Sequence, residues 1–471
     1  MADFKPAYTP QEALIEADRC LFCFDAPCIQ ACPTGIDVPS FIKKIATGNP
    51  TGAARTILTA NILGASCARV CPTLVLCEGA CVVLDREGDP VKIGRLQRHA
   101  TDHVAARGIS VLKAPSKKTG KRVAIVGGGP AGLGCAAELA QQGHSAVVFE
   151  KQPQAGGLNT YGIAYYKMPP QVSLDEVDLI KGLGVEFRCG GEVGKDISAA
   201  ELEKEFDAVF LGIGLGGSPK LGIPGEDLPE VVQALEFISE IHTRPLHEVP
   251  VGARVAVIGG GNTAIDAVTQ AKRLGAADAI LVYRRTQSDM SAYDFEQELA
   301  RVDGAEFLFN VVPVEVMESD GHVSGLKLAR TNTSQGKVEV LPGTESIEPF
   351  DMVIKAIGEQ KQVTLLKTLF PELELDARGV VTHHPETGQT NLPKVFTGGD
   401  CANGGREVVN AVAEGKKAAR GIHAFLAGET VSGPVQASRL GVKGAPPTGS
   451  GFDHPIRVPE LEKAYFSKNT K

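Results

Sequence analysis

The chain has 471 residues, of which 43% are hydrophobic and 22% are charged, as in ordinary globular proteins. The net charge of −8 argues against a large nucleic-acid surface, and no apolar run approaches the roughly 20 residues of a membrane-spanning helix. The first residues lack the apolar core of a secretory signal, so we expect a cytoplasmic protein of about two to four domains with reduced thiols.

The first predicted helix begins near residue 9, where Thr9, Pro10 and Glu12 supply an N-cap, a first-turn proline and a capping-box acid. Apolar residues at helical spacing follow it, namely Leu14, Ile15, Ala17 and Leu21. Two more amphipathic helices, broken at GNPTG, are predicted from Phe41, Ile42, Ile45, Ala53, Ile57 and Leu58. We expect all of these residues to be core contacts that hold the cysteine-bearing loops.

Eight of the eleven cysteines lie in the first 81 residues, in two groups. The first group reads C-x2-C-x4-C-x3-C-P, and the second reads C-x3-C-P-x4-C-x3-C. Structural zinc usually takes two CxxC pairs, and only Cys20 and Cys23 form such a pair. Compact runs that end in Cys-Pro are typical of iron–sulfur proteins, in which one run can serve two clusters. The pattern predicts two [4Fe–4S] clusters, with zinc as the alternative.

The other three cysteines are scattered singly along the chain. Cys135, Cys189 and Cys401 have no cysteine neighbour in sequence, and we predict that they are small buried apolar side chains. A disulfide reductase would need a paired thiol near its flavin, so that hypothesis ranks last.

A first nucleotide-binding fold follows a basic segment at residues 107–121 that marks a boundary. A strand at 123–126 leads into Gly127, Gly129 and Gly132, which complete G-x-G-x-x-G, and a helix and a second strand at 146–149 end at Glu150. The glycines let the backbone approach a pyrophosphate, and Glu150 can accept hydrogen bonds from a ribose. This copy is suited to FAD, as is the Gly-Gly-Leu sequence at 156–158.

A second copy begins at RVAVIGGGN. Gly259 and Gly261 occupy the first two glycine positions, and Ala264 replaces the third. Its second strand, at 279–283, ends at Arg284 and Arg285 rather than at an acid. Two guanidiniums favour a 2′-phosphate, so this copy predicts NADPH over NADH, unless the arginines simply face solvent.

Far downstream, LPKVFTGGD predicts a strand, a turn and a helix that begins at Asp400. Asp400 is predicted to contact the ribityl or pyrophosphate part of the flavin, to cap the helix, or both. Because this element follows the second copy, the nicotinamide domain reads as an insertion in the FAD domain. We expect an α/β protein whose parts are a helical iron–sulfur domain at 1–115, an FAD domain at 120–245 and 363–430, a nicotinamide domain at 246–362, and an arm at 431–471 against a partner.

Together, the paired cysteine runs, GGGPAGL, GGGNTAID, YRR and TGGD resemble the glutamate synthase small-subunit family. Within that family, residues 10–430 resemble the electron-input subunit of bacterial dihydropyrimidine dehydrogenase, most closely in CARVCPT, LCEGAC and IGRLQR. The resemblance implies Rossmann-like domains of the disulfide-reductase type after the helical domain.

The resemblance also implies the cluster ligands. One cluster would be held by Cys20, Cys23, Cys28 and Cys81, and the other by Cys32, Cys71, Cys77 and Gln97. Cys67 is then spare. Dihydropyrimidine dehydrogenases carry glutamine at the position of Gln97, whereas glutamate synthase-type chains tend to carry glutamate. Residue chemistry alone does not favour an amide oxygen on iron, although a neutral ligand would change the cluster potential.

The resemblance implies nucleotide contacts as well. Those to FAD are Gly127, Gly128, Gly129, Pro130, Ala131, Gly132, Glu150, Gly157, Leu158, Lys167 and Asp400. Those to the nicotinamide cofactor are Gly260, Gly261, Asn262, Thr263, Arg284, Arg285, Ala356, Ile357 and Gly358. Ser291 stands where NADP-using relatives carry a basic residue, and NADH-preferring relatives carry an acid where Arg285 stands. NADPH is the prediction, and NADH is the alternative.

The implied activity is electron relay without an acid–base pair, from the nicotinamide through the flavin and two clusters to a partner. The partner would be an FMN-containing subunit that reversibly reduces uracil or thymine, since the matched residues leave no room for an FMN barrel of roughly 250 residues. The alternatives are a glutamate synthase small subunit, an electron-bifurcating NAD(P)H:ferredoxin transhydrogenase large subunit, and a zinc-stabilised nucleotide-binding scaffold without redox activity.

Overall fold

A computed structural model describes residues 3–334 and 336–429. The arm expected at 431–471 lies outside the described residues. Within them, no helix combines the length and the apolar character that crossing a membrane requires.

The cysteine-rich part is a helical head. Its α-helices are α1 (Pro10–Asp18), α2 (Pro27–Gln30), α3 (Val38–Ala46), α4 (Pro50–Ala60), α5 (Gly64–Val70), α6 (Val82–Glu87) and α7 (Ile93–Ala105). The capping box of Thr9 and Glu12 is present at α1, as predicted. The two predicted amphipathic helices are α3 and α4, and their apolar faces are buried. The head is therefore a small helical core with six of its eight thiols on the connecting segments, Cys28 in α2 and Cys67 in α5.

The first helix departs from its prediction. It buries Ala13 and Ala17 and exposes Leu14 and Ile15, the latter 70% accessible. Leu21, which follows the helix, is 50% accessible. Small alanines let α1 pack closely against α3, which leaves the bulky residues on the opposite face. The prediction that Leu14, Ile15 and Leu21 are core contacts is wrong.

After the head come both helices and strands, and β8 to β13 follow one another without a helix between them. The strands are β1 (Arg122–Val126), β2 (Ser145–Glu150), β3 (Glu186–Cys189), β4 (Ala208–Leu211), β5 (Val231–Gln233), β6 (Arg254–Ile258), β7 (Asp278–Tyr283), β8 (Glu306–Phe309), β9 (Val311–Ser319), β10 (His322–Ser334), β11 (Lys337–Val340), β12 (Ser346–Glu348), β13 (Met352–Lys355) and β14 (Val395–Thr397). The helices are α8 (Pro130–Gln141), α9 (Leu158–Tyr161), α10 (Pro170–Lys181), α11 (Ala199–Glu205), α12 (Ala234–Thr243), α13 (Asn262–Leu274), α14 (Asp294–Val302), α15 (Val363–Leu369), α16 (Asp400–Asn403) and α17 (Val408–Ala427).

The first parallel sheet has the order β14-β4-β1-β2-β3. Its helices α8 and α17 pack against each other through glycines, because a Cβ at Gly134 would lie 2.9 Å from the Val412 carbonyl oxygen. The strand β14 joins this sheet only after the second sheet has been completed. The first nucleotide fold is therefore built from two separate stretches of chain.

The second parallel sheet has the order β5-β13-β6-β7-β8, and an antiparallel sheet of β9 to β12 follows β8 in the chain. Strand β5 is an edge of the second parallel sheet, where it pairs with β13, and α12 packs against α13. Both β5 and α12 precede residue 246. We therefore propose that the nicotinamide-binding part begins before Val231 rather than at 246.

Candidate functional site

Four thiols predicted to share a cluster line one pocket in the head. Cys20, Cys23, Cys28 and Cys81 surround it together with apolar side chains such as Ile42. Burial raises the pKa of the Cys20 thiol to about 11 and that of Cys28 to about 12. No cation of the described residues is among the groups that shift these two pKa values, so a bound iron would supply the positive charge that favours the thiolates. These residues fit an iron–sulfur cluster.

A single zinc ion and a four-iron cluster require different spacings of their ligands. Among residues 3–334 and 336–429, no three His, Cys, Asp or Glu side chains form a group that could hold one metal ion. A tetrahedral zinc with Zn–S bonds of about 2.3 Å needs sulfurs about 3.8 Å apart. A four-iron cluster separates its ligands further, since each thiolate binds a different iron.

The thiols of the second predicted ligand set lie near the end of α5, and Gln97 contacts its first residue. Cys71 follows this helix directly, and burial raises the pKa of Cys77, with Cys71 and Cys32 among the nearby groups that add to the shift. Gln97, buried on α7, donates its Nε2–H to the Gly64 carbonyl at 2.7 Å. That bond fixes the orientation of the amide and leaves its oxygen as the end available to a ligand.

Two further side chains touch this second set. The buried Cys67 hydrogen-bonds Cys71, and this bond raises the pKa of the Cys71 thiol together with burial. Lys5 donates its ammonium to the Cys71 carbonyl oxygen at 2.8 Å. Lys5 is a neighbour that the sequence patterns did not indicate.

The second set lies beside the nucleotide-binding part of the chain. Helix α5 contacts both α10 and α17, and Lys416 of α17 donates to the Ala60 carbonyl oxygen at 2.6 Å. The pocket of the first set is lined only by residues of the head. The second thiol set is therefore the nearer of the two to the nucleotide folds, and the first set is the farther.

A buried carboxylate joins α10 to the start of α5. Glu176 accepts hydrogen bonds from the Ala65 N–H at 2.7 Å, from the Ser66 N–H at 3.0 Å and from the Ser66 hydroxyl. Burial raises the pKa of Glu176 to about 7, although these hydrogen bonds oppose the shift. The carboxylate thus titrates near neutral pH at the junction of the head and the first nucleotide fold.

We predict that Glu176 makes stability fall as the pH rises. Between its unfolded pKa near 4.5 and its folded pKa near 7, the folded chain binds more protons than the unfolded one. The group's contribution therefore declines through this window, by roughly 3 kcal/mol at most. We expect the free energy of unfolding of the variant Glu176→Gln, measured in urea, to increase relative to that of the wild type from pH 5 to pH 8. Parallel stability profiles would contradict this prediction.

The first glycine loop is shaped for close approach. Gly127 has φ +100°, and a Cβ at Gly132 would clash with the Gly127 carbonyl oxygen. No side chain caps α8, so its first N–H groups are free to meet a pyrophosphate. Glu150 accepts hydrogen bonds from the N–H groups of Gly128 and Gln152, both at 2.8 Å. The loop and the acid form one cradle.

The structure brings two distant motifs onto this cradle. A Cβ at Gly157 would lie 2.7 Å from the Cα of Gly129, and a Cβ at Gly399 would lie 2.7 Å from the Cβ of Ala131. Asp400 follows Gly399 at the start of α16, and burial raises the pKa of its carboxyl. GGGPAGL, GGL and TGGD therefore form one site, with Pro130 and Leu158 at the starts of their helices.

Lys167 is engaged in a buried charge cluster. Its ammonium lies 2.7 Å from an Asp266 oxygen on α13 and 2.8 Å from a Glu296 oxygen on α14. Tyr166 donates its hydroxyl to Asp266 at 2.8 Å. Lys167 thus links the two nucleotide folds, which the sequence did not reveal, and the predicted FAD contact stays a prediction.

The second glycine loop borders a cavity of about 590 Å³. Its lining includes Gly259, Gly260, Gly261, Thr263, Tyr283, Arg284, Ser291, Ala356, Ile357, Gly358 and Glu359. Asn262 uses its side-chain oxygen to accept the Tyr293 N–H at 3.0 Å. The structure thus places the predicted AIG turn against the glycine loop.

The strand registers of the two folds can be compared residue by residue. Val126 pairs with Phe149 in the first fold, and Ile258 pairs with Val282 in the second. Tyr283 therefore occupies the position that Glu150 has in the first fold. Its ring packs over Gly260, where a Cβ would lie 2.7 Å from ring carbons. No carboxylate stands there to bind a ribose.

The two arginines that follow differ in their surroundings. Arg284 is exposed and lines the cavity. Arg285 is half-buried and directs a guanidinium N–H to the Gly336 carbonyl oxygen at 3.4 Å. Arg284 is therefore the better placed of the two to meet a nucleotide phosphate.

The single cysteines are only partly as predicted. Cys135 and Cys401 are buried, but Cys189 is exposed at the end of β3, so its predicted burial is wrong. The strand β3 is the edge of the first sheet, which explains the exposure.

Comparisons with known proteins match both parts of the chain. Residues 1–109 match the family described as dihydropyrimidine dehydrogenase domain II, 4Fe-4S cluster, and residues 121–415 match the pyridine nucleotide-disulphide oxidoreductases. The small chain of glutamate synthase [NADPH] from Halomonas elongata is 39% identical, covering 90% of this chain and 93% of the relative. The NAD-dependent dihydropyrimidine dehydrogenase subunit PreT from Escherichia coli K12 is 34% identical, covering 90% and 97%.

Among solved structures, Mycobacterium tuberculosis FprA in complex with NADPH is similar in fold, with a TM-score of 0.54 and 21% identity, covering 65% of this chain and 85% of that chain. The expected fold class is confirmed by these matches and by the two parallel sheets.

Proposed function

Because this chain belongs to the pyridine nucleotide-disulphide oxidoreductases that carry an N-terminal iron–sulfur domain, a family that includes glutamate synthase small chains and PreT subunits, we propose that it passes electrons from NAD(P)H to a partner that reduces pyrimidines. It is an NAD(P)-dependent oxidoreductase with iron–sulfur, flavin and nicotinamide cofactors. The finer proposal is two [4Fe–4S] clusters, FAD, and an FMN-containing partner subunit for uracil or thymine.

The residues proposed to hold these groups are those predicted from the sequence. The cradle of Gly127–Gly132 and Glu150, with Asp400 beside it, would hold FAD through backbone N–H groups and carboxylates. When bound, the nicotinamide and flavin would exchange a hydride and the clusters would carry single electrons. The chain's own task is to hold the groups in order and to exclude water.

Gln97 is the observation that carries the pyrimidine proposal. It is buried on α7, and its Nε2–H is bonded to the Gly64 carbonyl, so its neutral amide oxygen is the end that would serve as the proposed fourth ligand. The resemblance associates glutamine at this position with dihydropyrimidine dehydrogenases and glutamate with glutamate synthase-type chains.

A second candidate is the small chain of a glutamate synthase. The higher identity to that relative, 39% against 34%, favours it. Both candidates would use iron–sulfur, flavin and nicotinamide cofactors, although the glutamate synthase relative is named for NADPH and the PreT relative for NAD. They also differ in the partner and its substrate.

One reconstitution distinguishes the candidates. The purified chain is mixed with an FMN-containing dihydropyrimidine dehydrogenase subunit, and NADPH-dependent uracil reduction is measured. A parallel reaction with a glutaminase-bearing glutamate synthase large chain measures glutamate formation from ammonia. Uracil reduction alone supports the proposal, and glutamate formation alone contradicts it.

We predict that Arg284, more than Arg285, sets the preference for NADPH. Removing the cavity-lining guanidinium by Arg284→Ala should raise the KM for NADPH about tenfold, a loss of about 1.4 kcal/mol, and leave that for NADH nearly unchanged. Arg285→Ala is the matched control, since its side chain turns toward Gly336. Steady-state kinetics with ferricyanide as acceptor check this. Equal effects of the two substitutions would be evidence against the assignment.

A further inference from the structure

Large apolar side chains are exposed beside the first thiol set. Four of them lie within residues 14–24, namely Leu14, Ile15, Leu21 and Phe24, and we call them the apolar patch; Phe24 is 68% accessible. These residues do not complete a core, because α1 buries its alanines instead. Apolar residues grouped in this way on a protein surface commonly mark a site of protein association.

The patch is built into the ligand loop itself. Leu21 lines the same pocket as Cys20, and Phe24 directly follows Cys23. Between them, Phe22 takes the left-handed conformation with φ +51°, and its ring lies 4.6 Å from the Lys43 ammonium. A non-glycine residue is held in this region only where its surroundings fix it, so the outward direction of the loop is a fixed feature.

The rim of the patch is acidic. The acidic side chains of these segments, residues 11–25 and 85–89, are Glu12, Glu16, Asp18, Asp25, Asp85, Glu87 and Asp89, and the basic side chains within them or in contact with them are Arg19, Lys43, Arg86 and Lys92, which leaves three more acids than bases. Arg19 is neutralised, because it pairs with Glu16 at 2.8 Å and with Glu87 at 3.0 Å. These ion pairs also show that the second segment lies beside the first.

We propose that this apolar patch is the docking face for the FMN-containing subunit, which would present an apolar centre with a basic rim and draw electrons from the first thiol set. The inference rests on the proposed function and adds its contact surface. A second copy of this chain is a poorer occupant, because a two-fold contact would bring the two acidic rims together. The location also fits, since the second thiol set faces the nucleotide folds and the first faces outward.

The test uses the whole protein with its cofactors. Ile15→Asp and Phe24→Asp place a charge in the patch, and Ile347→Asp places the same charge at a 62% exposed isoleucine on β12 as a matched control. The FMN-containing subunit is titrated in NADPH-driven uracil reduction, at 50 mM and 500 mM salt. Ferricyanide reduction and iron content verify that each variant is intact.

We expect the half-saturating concentration of the FMN-containing subunit to rise at least tenfold in both patch variants, and less than twofold in the control. Ferricyanide reduction should stay within twofold of the wild type, and high salt should weaken wild-type docking. If Ile15→Asp or Phe24→Asp loses iron, serine replaces aspartate at that position. Unchanged half-saturation in intact variants would overturn the inference.

Failure of the proposed function gives a different result. A wild type that forms glutamate with the large chain of glutamate synthase but leaves uracil unreduced contradicts the pyrimidine proposal and the FMN-containing subunit as occupant. If the wild type reduces uracil and the patch variants reduce it equally well, the proposed function stands and only the docking face is contradicted.

Discussion

Replacing Gln97 by alanine is expected to remove about half of the protein's iron, about four of eight atoms per chain, while the flavin stays bound. The alanine has no oxygen to offer in place of the fourth ligand that we propose beside Cys32, Cys71 and Cys77. The residues of the proposed flavin cradle lie at β1, α8, β2 and α16, whereas Gln97 lies on α7 of the head. Iron and acid-labile sulfide, with the flavin absorbance, measure the effect.

The matched control for this prediction is Cys67→Ala. Cys67 is buried and hydrogen-bonds Cys71, so it is the thiol best placed to be the fourth ligand instead. We expect Cys67→Ala to keep its full iron and Gln97→Glu to keep it with a lower cluster potential, since glutamate adds a negative charge. Full iron in Gln97→Ala together with iron loss in Cys67→Ala would make Cys67 the ligand.

The substitution Lys167→Met is expected to destabilise the protein by about 3–5 kcal/mol. It removes the one ammonium that lies between Asp266 and Glu296 and leaves two carboxylates buried at short range. Lys167 is only 8% accessible, so water cannot replace the lost partner. Urea unfolding followed by fluorescence and circular dichroism measures the loss.

An exposed pair offers the control for Lys167. Lys220 lies 2.9 Å from Asp227, and both side chains are exposed. Lys220→Met should therefore change the free energy of unfolding by about 0–1 kcal/mol. Adding Asp266→Asn and Glu296→Gln to Lys167→Met should restore part of the stability. Equal losses for the two lysines would mean that the buried charges are not the cause.

The fold was largely predictable from local patterns. The strand before Gly127, the strand that ends at Glu150 and the capping box at Thr9 are formed by neighbouring residues, and the structure has all of them. The joining of β14 to the first sheet was expected from chain order, because TGGD follows the second glycine loop.

The features that were missed depend on distant contacts. The outward turn of Leu14 and Ile15 depends on how closely α1 approaches α3, which helical spacing does not specify. The partners of Lys167 come from two later helices, and β5 joins a sheet whose other strands follow it. Tyr283 could have been found by aligning the two glycine loops, since both strands end at equivalent positions.

The late return of β14 has a consequence for biosynthesis. All strands of the second parallel sheet precede residue 356, so they leave the ribosome before the edge strand β14 of the first sheet and before α17. Synthesis at about 5–20 residues per second thus separates the maturation of the two nucleotide pockets in time. Nascent chains that stall before residue 395 would retain nicotinamide and release flavin.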